Sequence, residues 1–190
     1  MSDLVFLLEG ESEKEMLKVL LPAVLPKTIN PVLVSFEGKQ DLKKRLGIKI
    51  KGWISPCIGF VVLCDKDHSD CVVLKNEMKE ACSLTGKKNY LIRIACSEIE
   101  SWYLGDLLAV EQAIGPAGIS TNQNKKKFRS PDNLSNAKEE LRKITNGLYR
   151  EKSGSREIGK KMSVNPHMNK SHSFGVFISG VQRIISQKTH

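Results

Sequence analysis

The chain begins with an unbroken apolar run, Leu4 to Leu8, that stops at Glu9-Gly10. Consecutive apolar residues with no polar alternate fit a strand covered on both faces, as in a parallel sheet. Ser12 with Glu15 three residues on matches a capping box, and Met16, Leu17, Val19, Leu20 and Leu21 then predict a helix that Pro22 or Pro26 ends. Pro31 to Phe36 predicts a second strand, and Lys39 to Leu46 a short amphipathic helix before a Gly-containing loop. Cys57 to Cys64, centred on Phe60-Val61-Val62-Leu63, is the clearest buried strand and runs directly into Asp65-Lys66-Asp67. Asp70 is placed to cap a helix through Leu84, with Val73, Leu74, Met78 and Ala81 or Cys82 on its inner face and Gly86 just past its end. Tyr90 to Ala95 predicts a fourth strand, and Ser97 with Glu100 a second capping box opening a helix from Glu98 to about Ile114.

Strands alternating with helices at this spacing imply right-handed crossovers, hence an α/β fold with a mostly parallel four-stranded sheet flanked by helices. From Gly115 to Asp132 the texture changes to Gly, Pro, Asn and Ser with a Lys125-Lys126-Lys127-Phe128-Arg129 cluster, which reads as an exposed loop. Leu134 to Ile144, Ser155 to Met162 and Ser173 to Ile185 then predict three helices, the last with Phe174, Phe177, Ile178, Val181 and Ile184 or Ile185 on one stripe. The division expected is an α/β core over residues 1–115 and a mainly helical C-terminal extension over 116–190 packed on it.

Composition narrows this picture. Five cysteines, with no two at the spacing of a zinc knuckle or redox dithiol, suit small buried hydrophobes in a reducing compartment. The run Leu4 to Leu8 is too short and too close to Asp3 for a signal peptide, and nothing later approaches a membrane span, so a cytoplasmic protein is expected. The net charge of +9 is unevenly spread: residues 1–115 hold 15 Lys/Arg against 16 Asp/Glu, and residues 116–190 hold 15 against 5. A basic portion beside a near-neutral, acid-clustered one suits a polyanion held near a metal, with an ordinary solvated surface as the plain alternative.

Ligands of open parallel sheets bind outside the carboxyl ends of the strands. Three of the four strands end on acids here: Glu9 after the first, Asp65 and Asp67 after the third, Glu98 and Glu100 beyond the fourth. Carboxylates so grouped suit Mg²⁺ or Mn²⁺, which could polarise a phosphoryl oxygen and activate water. Glu13 and Glu100 are candidates for a second ion, although each also has a helix-start explanation. His68 reads as an exposed loop residue, and His167 and His172 as surface groups. Lys125, Lys126, Lys127, Arg129, Lys152, Arg156, Lys160, Lys161 and Lys170 are candidates for phosphate contact or solvated helix charges.

The segment Val5 to Glu13 with Val61-Val62-Leu63-Cys64-Asp65-Lys66-Asp67 resembles the topoisomerase-primase (Toprim) fold, whose signature is a Glu after the first strand and an Asp-x-Asp after a later one. By that resemblance Glu9 is a general acid/base and metal ligand, and Asp65 and Asp67 form the metal-binding pair. A closer likeness is to the small bacterial Toprim-like family called domain of unknown function 4276, or RloG-like. The Glu-Gly-x-x-Glu opening at Glu9 to Glu13, the block Ser97 to Asp106 and the closing Ser171 to Phe177 carry it. Such proteins resemble the Toprim half of OLD-type (overcoming lysogenisation defect) nucleases and are associated with ABC-type ATPases in antiviral defence, which implies an ATPase partner. This chain itself has no Gly-x-x-x-x-Gly-Lys-Ser/Thr phosphate loop.

The expected function is cleavage of DNA or RNA by a metal-dependent nuclease. Strand passage would need a tyrosine domain that a chain of this length lacks. The alternatives are a non-catalytic nucleic-acid-binding or regulatory module that docks on an ATPase, and a hydrolase of small phosphates.

Overall fold

A computed structural model of the chain describes residues 1–187. Four strands, β1 (Ser2–Leu8), β2 (Ile29–Ser35), β3 (Cys57–Asp65) and β4 (Tyr90–Ala95), form one all-parallel sheet in the order β2-β1-β3-β4. Helices α1 (Glu11–Val24), α2 (Lys39–Lys51) and α3 (Cys71–Ser83) connect consecutive strands. Helices α4 (Glu100–Leu104), α5 (Leu107–Ala113), α6 (Ala137–Ile144), α7 (Glu151–Gly159) and α8 (His172–Ser186) follow the sheet. This is the α/β architecture that the hydrophobic pattern predicts.

Alternate side chains of the strands enter two separate cores, because the side-chain period of a strand is two residues. Val5, Leu7, Phe60, Val62 and Cys64 pack against α2 and α3 through Leu42, Leu46, Leu74 and Met78. Leu4, Phe6, Leu8, Val61 and Leu63 face the other layer, where α1, α4, α5, α6, α7 and α8 share one apolar cluster. Residues of 1–115 and of 116–190 both contribute to that cluster, among them Trp102 beside Phe174 and Phe177 with ring centroids 5.3 and 5.0 Å away. The C-terminal helices thus complete the second layer of the sheet.

Several boundaries depart from the sequence reading, each for a local reason. The first helix is capped at Gly10, whose N–H donates to Glu13 (3.0 Å), so the return carboxylate comes from Glu13 and not from a Ser12/Glu15 box. It also runs past Pro22 to Val24; one turn from the end, a proline removes a single helical bond. Helix α2 continues to Lys51 through Gly47, whose missing side chain lets it approach the Ala81 carbonyl of α3: a Cβ there would lie 3.2 Å from that oxygen. Asp70 caps α3 as expected, accepting from Val72 and Val73 N–H at 2.8 and 2.9 Å, but Val73 itself is 55% exposed and Leu74, Met78 and Cys82 line the buried face. Only Cys64 and Cys82 of the five cysteines are buried.

The helix expected from Glu98 to Ile114 is two helices. Gly105 ends α4 and Asp106 starts α5 by accepting the Ala109 N–H (3.1 Å). The break is enforced by packing, since a Cβ on Gly105 would fall 1.9 Å from Asn169 Oδ1. Ser97 adopts a left-handed φ of 62° and Glu100 does not form a box with it. The stretch 115–132 holds two short 3-10 turns, Ile119–Asn122 and Pro131–Asn133, and buries Ile119, Phe128 and Pro131 beneath exposed lysines. Helices α6, α7 and α8 begin at 137, 151 and 172, against 134, 155 and 173 from the sequence.

Candidate metal centre

Strand order fixes where a site can form. The chain leaves β1 towards β2 on one side and leaves β3 towards β4 on the other, with α1 and α3 on opposite faces. The carboxyl ends of β1 and β3 therefore flank the switch point of the sheet, where such folds leave a crevice. Glu9 directly follows β1 and Asp65 ends β3, its neighbour in the sheet.

A cleft of about 310 Å³ opens there, lined by Glu9, Gly10, Glu11, Ser12, Glu13, Gly38, Asp65, Ile99, Glu100, Lys138, Glu151 and Lys152. Glu9 Oε2 accepts the backbone N–H of Asp65 (3.0 Å), which ties the two strand ends together. Glu13 is placed by the first turn of α1 and turned inward by its bond to Gly10; it is 4% exposed. Glu100, on the first residue of α4, is 1% exposed, and its Oε1 accepts the hydroxyl of Tyr149 (2.9 Å), which also contacts Ser155 Oγ of α7 (3.2 Å). The C-terminal helices thus orient one carboxylate of the cleft.

The electrostatics of this group are unfavourable as it stands. Asp65 Oδ1 and Glu100 Oε2 are buried with no hydrogen-bond partner. Buried acceptors left unpaired cost about 1–3 kcal/mol each, and more when charged. Burial, reinforced by the neighbouring Glu13, Glu100, Glu9 and Asp67, holds the Asp65 carboxyl well above the usual range. Burial and the charge of Glu9 push Glu13 up to about 7; burial, opposed by Lys138, pushes Glu100 up to about 7 as well. Glu9 is also raised by burial, although the Asp65 N–H and Lys39 pull the other way. Such a set calls for protons or a cation.

Asp67 stands apart from the cleft lining. It has a left-handed φ of 48°, its N–H donates to Ser97 O (2.7 Å), and its carboxylate pairs with Lys39, which also donates to Lys66 O (3.2 Å). Its charge nonetheless reaches Asp65 and Glu9. Glu98 accepts the Lys138 N–H (2.8 Å) and so anchors the start of α6. Among the described residues, no three His, Cys, Asp or Glu side chains stand close enough together to enclose an ion as placed. The fit to a divalent cation rests instead on the two orphaned carboxylate oxygens, which hard cations with oxygen ligands satisfy.

The candidate phosphate-contacting residues are dispersed. Lys152 lines the acidic cleft. Arg156 pairs with Glu15, and Lys160 with Glu157 (2.6 Å). Lys126, Lys127 and Arg129 line a separate hollow, where Lys127 pairs with Glu140, and Lys125 is exposed beside them. Lys161 lies near Asp106 and Ser163, and His68 is exposed. Sequence reasoning missed Lys138 and Tyr149. Lys138 feels the acids directly: burial lowers its affinity for a proton, but Glu100, Glu151, Glu98 and Asp65 more than offset this and hold it charged. Neither residue carries a sequence signal, since both lie far along the chain in unremarkable polar surroundings.

Comparison with known proteins agrees with the fold. The chain aligns with the structure of the C-terminal region of the Burkholderia pseudomallei OLD protein at a TM-score of 0.55, with 13% identity, over 98% of each chain. It also aligns with the C-terminal region of the Xanthomonas campestris pv. campestris OLD protein, at a TM-score of 0.49 and 13% identity, over 100% of this chain and 99% of that one. The fold is therefore the Toprim-like fold expected from Glu9 and the Asp65-x-Asp67 pair. No curated protein matches the chain. Residues 8–182, which hold every side chain of the cleft, match the family model described as domain of unknown function (DUF4276), and the chain belongs to that family.

Proposed function

We propose that this protein is a divalent-metal-dependent nuclease, with Glu9, Glu13, Asp65 and Glu100 as its metal-holding carboxylates and Mg²⁺ or Mn²⁺ as the ion. The observation that carries this reading is the pair of buried, unpartnered oxygens on Asp65 and Glu100 inside a cleft of raised carboxylates. A bound divalent ion would neutralise the cluster, polarise a phosphoryl oxygen and make water a nucleophile near neutral pH.

The chain's own residues supply the rest. Glu9, whose affinity for a proton is raised by burial, is suited to take one from water. Lys138, held charged by the surrounding acids, places an ammonium at the cleft where negative charge would grow on the phosphate. Lys152 at the same opening would hold the backbone, with Lys125, Lys126, Lys127, Arg129, Arg156, Lys160 and Lys161 as outlying contacts. Asp67 would join the ion on release from Lys39. The resemblance to OLD-type nucleases supports a cytoplasmic effector of antiviral defence working with an ABC-type ATPase.

The test is cleavage of DNA and RNA substrates with Mg²⁺ or Mn²⁺ by the wild type and by Asp65→Asn and Glu9→Gln. Loss of even an outer-shell group commonly costs 10–100-fold, so each variant should lose at least about 100-fold. Cleavage unchanged in both variants would refute the assignment. The pairing of Asp67 with Lys39 favours a second reading, a binding module that docks on an ATPase without catalysis. It predicts metal-independent binding of nucleic acid and no cleavage under any condition.

A further inference from the structure

Another hollow lies apart from the acidic cleft. It is a groove of about 800 Å³ beside the edge strand β4, lined by one stripe of α8 (His172, Gly175, Val176, Ser179, Gly180, Arg183), by Arg93 of β4 and by the Pro166–Ser171 segment. Helix α8 covers this end of the sheet, and Cys96 N–H meets Ser173 Oγ at 3.3 Å while Arg93 reaches Val176.

The charge of the groove is one-sided. Arg93, Lys170 and Arg183 contribute positive charges, and no acid is among its lining residues. Among the described residues no carboxylate pairs with Arg93, Lys170 or Arg183. Arg93 is held in place by donating from Nε to Val176 O (3.1 Å) and from Nη1 to Ile92 O (2.9 Å). Its guanidinium packs against Gly180, where a Cβ would come within 2.4 Å of Nη2. Burial, and after it the nearby Arg183, lower its hold on its proton. The N-terminus of α8 contributes little, because Asp132 and Ser171 already accept its first N–H groups (2.7 and 3.2 Å).

We infer that this groove binds the phosphodiester backbone of a nucleic-acid strand through Arg93, Lys170 and Arg183. The exposed Arg183 guanidinium can match two phosphate oxygens through parallel bonds, while Arg93, with Nε and Nη1 given to backbone carbonyls, contributes a fixed charge. No Phe, Tyr or Trp lines the groove, so it offers no large ring platform for bases and contact falls mainly on the backbone, with little sequence preference. The only markedly apolar lining is Pro166 and Val176, too little to anchor a peptide helix. The choice of nucleic acid among polyanions rests on the nuclease reading above; the site itself rests on its own residues. It would hold the substrate at a surface separate from the acidic cleft.

The test is fluorescence anisotropy of a labelled 20-base-pair duplex and of a single strand, with the full chain in EDTA, so that metal and cleavage play no part. Lys170→Ala/Arg183→Ala removes two exposed side chains that make no bonds in the fold. It should weaken binding roughly 10- to 100-fold at 0.1 M salt and reduce the slope of log K against log salt by about 2. Ser179→Glu, which puts a carboxylate in the groove, should weaken it similarly, while Lys75→Ala/Lys79→Ala on α3, on the opposite face, should change it by less than about threefold. Equal losses in the two double variants overturn the proposal. So does displacement of the strand by inorganic pyrophosphate, which marks a small-anion site, or by poly-glutamate at equal charge, which marks an acidic protein partner.

Discussion

The backbone N–H of Asp65 donates to the carboxylate of Glu9 at 3.0 Å, so the last residue of β3 and the first residue after β1 are held as one unit. These strands are neighbours in space although 56 residues separate the two groups in sequence. The bond occupies one oxygen of Glu9, and the buried Asp65 carboxyl lies within reach of the charges of Glu13, Glu100 and Glu9, so the acids repel one another in a desolvated cleft. The chemistry proposed for the protein follows from that repulsion.

The first consequence is a stability that falls as pH rises. An acid whose affinity for a proton is raised by folding binds that proton more tightly in the native state. Its contribution is complete below the unfolded value near 4.5 and is lost as pH passes the folded value, about 7 for Glu13 and Glu100. The metal-free protein should therefore lose on the order of a few kcal/mol between pH 5 and pH 8, seen as a drop of roughly 5–10 °C in Tm. Glu11, Glu15 and Glu140, held low by Ser35, Arg156 and Lys127, titrate below this window and do not mask it. Thermal melts in EDTA across that range check the slope, and a Tm that rises with pH contradicts it.

Neutralising one acid should relieve the others. Glu100→Gln keeps an acceptor for Tyr149 and removes a buried charge, so at pH 8 the metal-free variant should melt above the wild type by a few degrees. The same variant should gain less from added Mn²⁺. Paired melts with and without Mn²⁺ measure both effects.

Tyr149 is expected to act on Glu100 from a distance in sequence of 49 residues. Tyr149→Phe leaves the buried carboxylate without its donor and should cost about 1–3 kcal/mol by urea unfolding. Fully retained stability would mean that the bond carries no weight.

Much of this arrangement was legible in the sequence, and for a reason. Short apolar runs such as Leu4 to Leu8 and Phe60 to Leu63 have the length and character of strands buried on both faces, and their alternation with helices points to a parallel sheet. Acids at the ends of neighbouring strands share its carboxyl edge, which located Glu9 and Asp65, whereas Asp67 and Glu98 are drawn to other partners. What was hidden depends on contacts between distant segments. The pairing of Asp67 with Lys39, the break at Gly105 forced by Asn169, and the placement of Lys138 and Tyr149 around Glu100 arise from packing of loops and helices that no local pattern encodes. Glu13 and Glu100 were each ambiguous between cap and ligand, and Glu13 serves as a cap while facing the cleft.

The link between Asp67 and Lys39 makes a further prediction. Lys39 is only 12% exposed and also donates to Lys66 O (3.2 Å), so Lys39→Ala should cost about 1 kcal/mol while the fold is kept. If Asp67 completes the ion's ligands, freeing it should tighten Mn²⁺ binding by up to about tenfold in calorimetric titration. Unchanged affinity would leave Asp67 outside the site.

Gly105 offers a purely steric check on the architecture. Gly105→Ala drives a methyl group into Asn169 and the Ser171 backbone, 1.9 and 2.7 Å away, and should destabilise by at least about 1–3 kcal/mol. A neutral result would show that the junction of α4 and α5 is looser than described.

The central claim is that the cleft between β1 and β3 is a divalent-metal centre, and the most direct measurement is the anomalous signal of a crystal soaked in Mn²⁺ near pH 7.5. The account predicts a peak within coordination distance, roughly 2.1 Å, of Asp65 with at least one of Glu9, Glu13 and Glu100 beside it. A well-ordered crystal with no peak in that cleft, or with manganese bound only elsewhere, would contradict it.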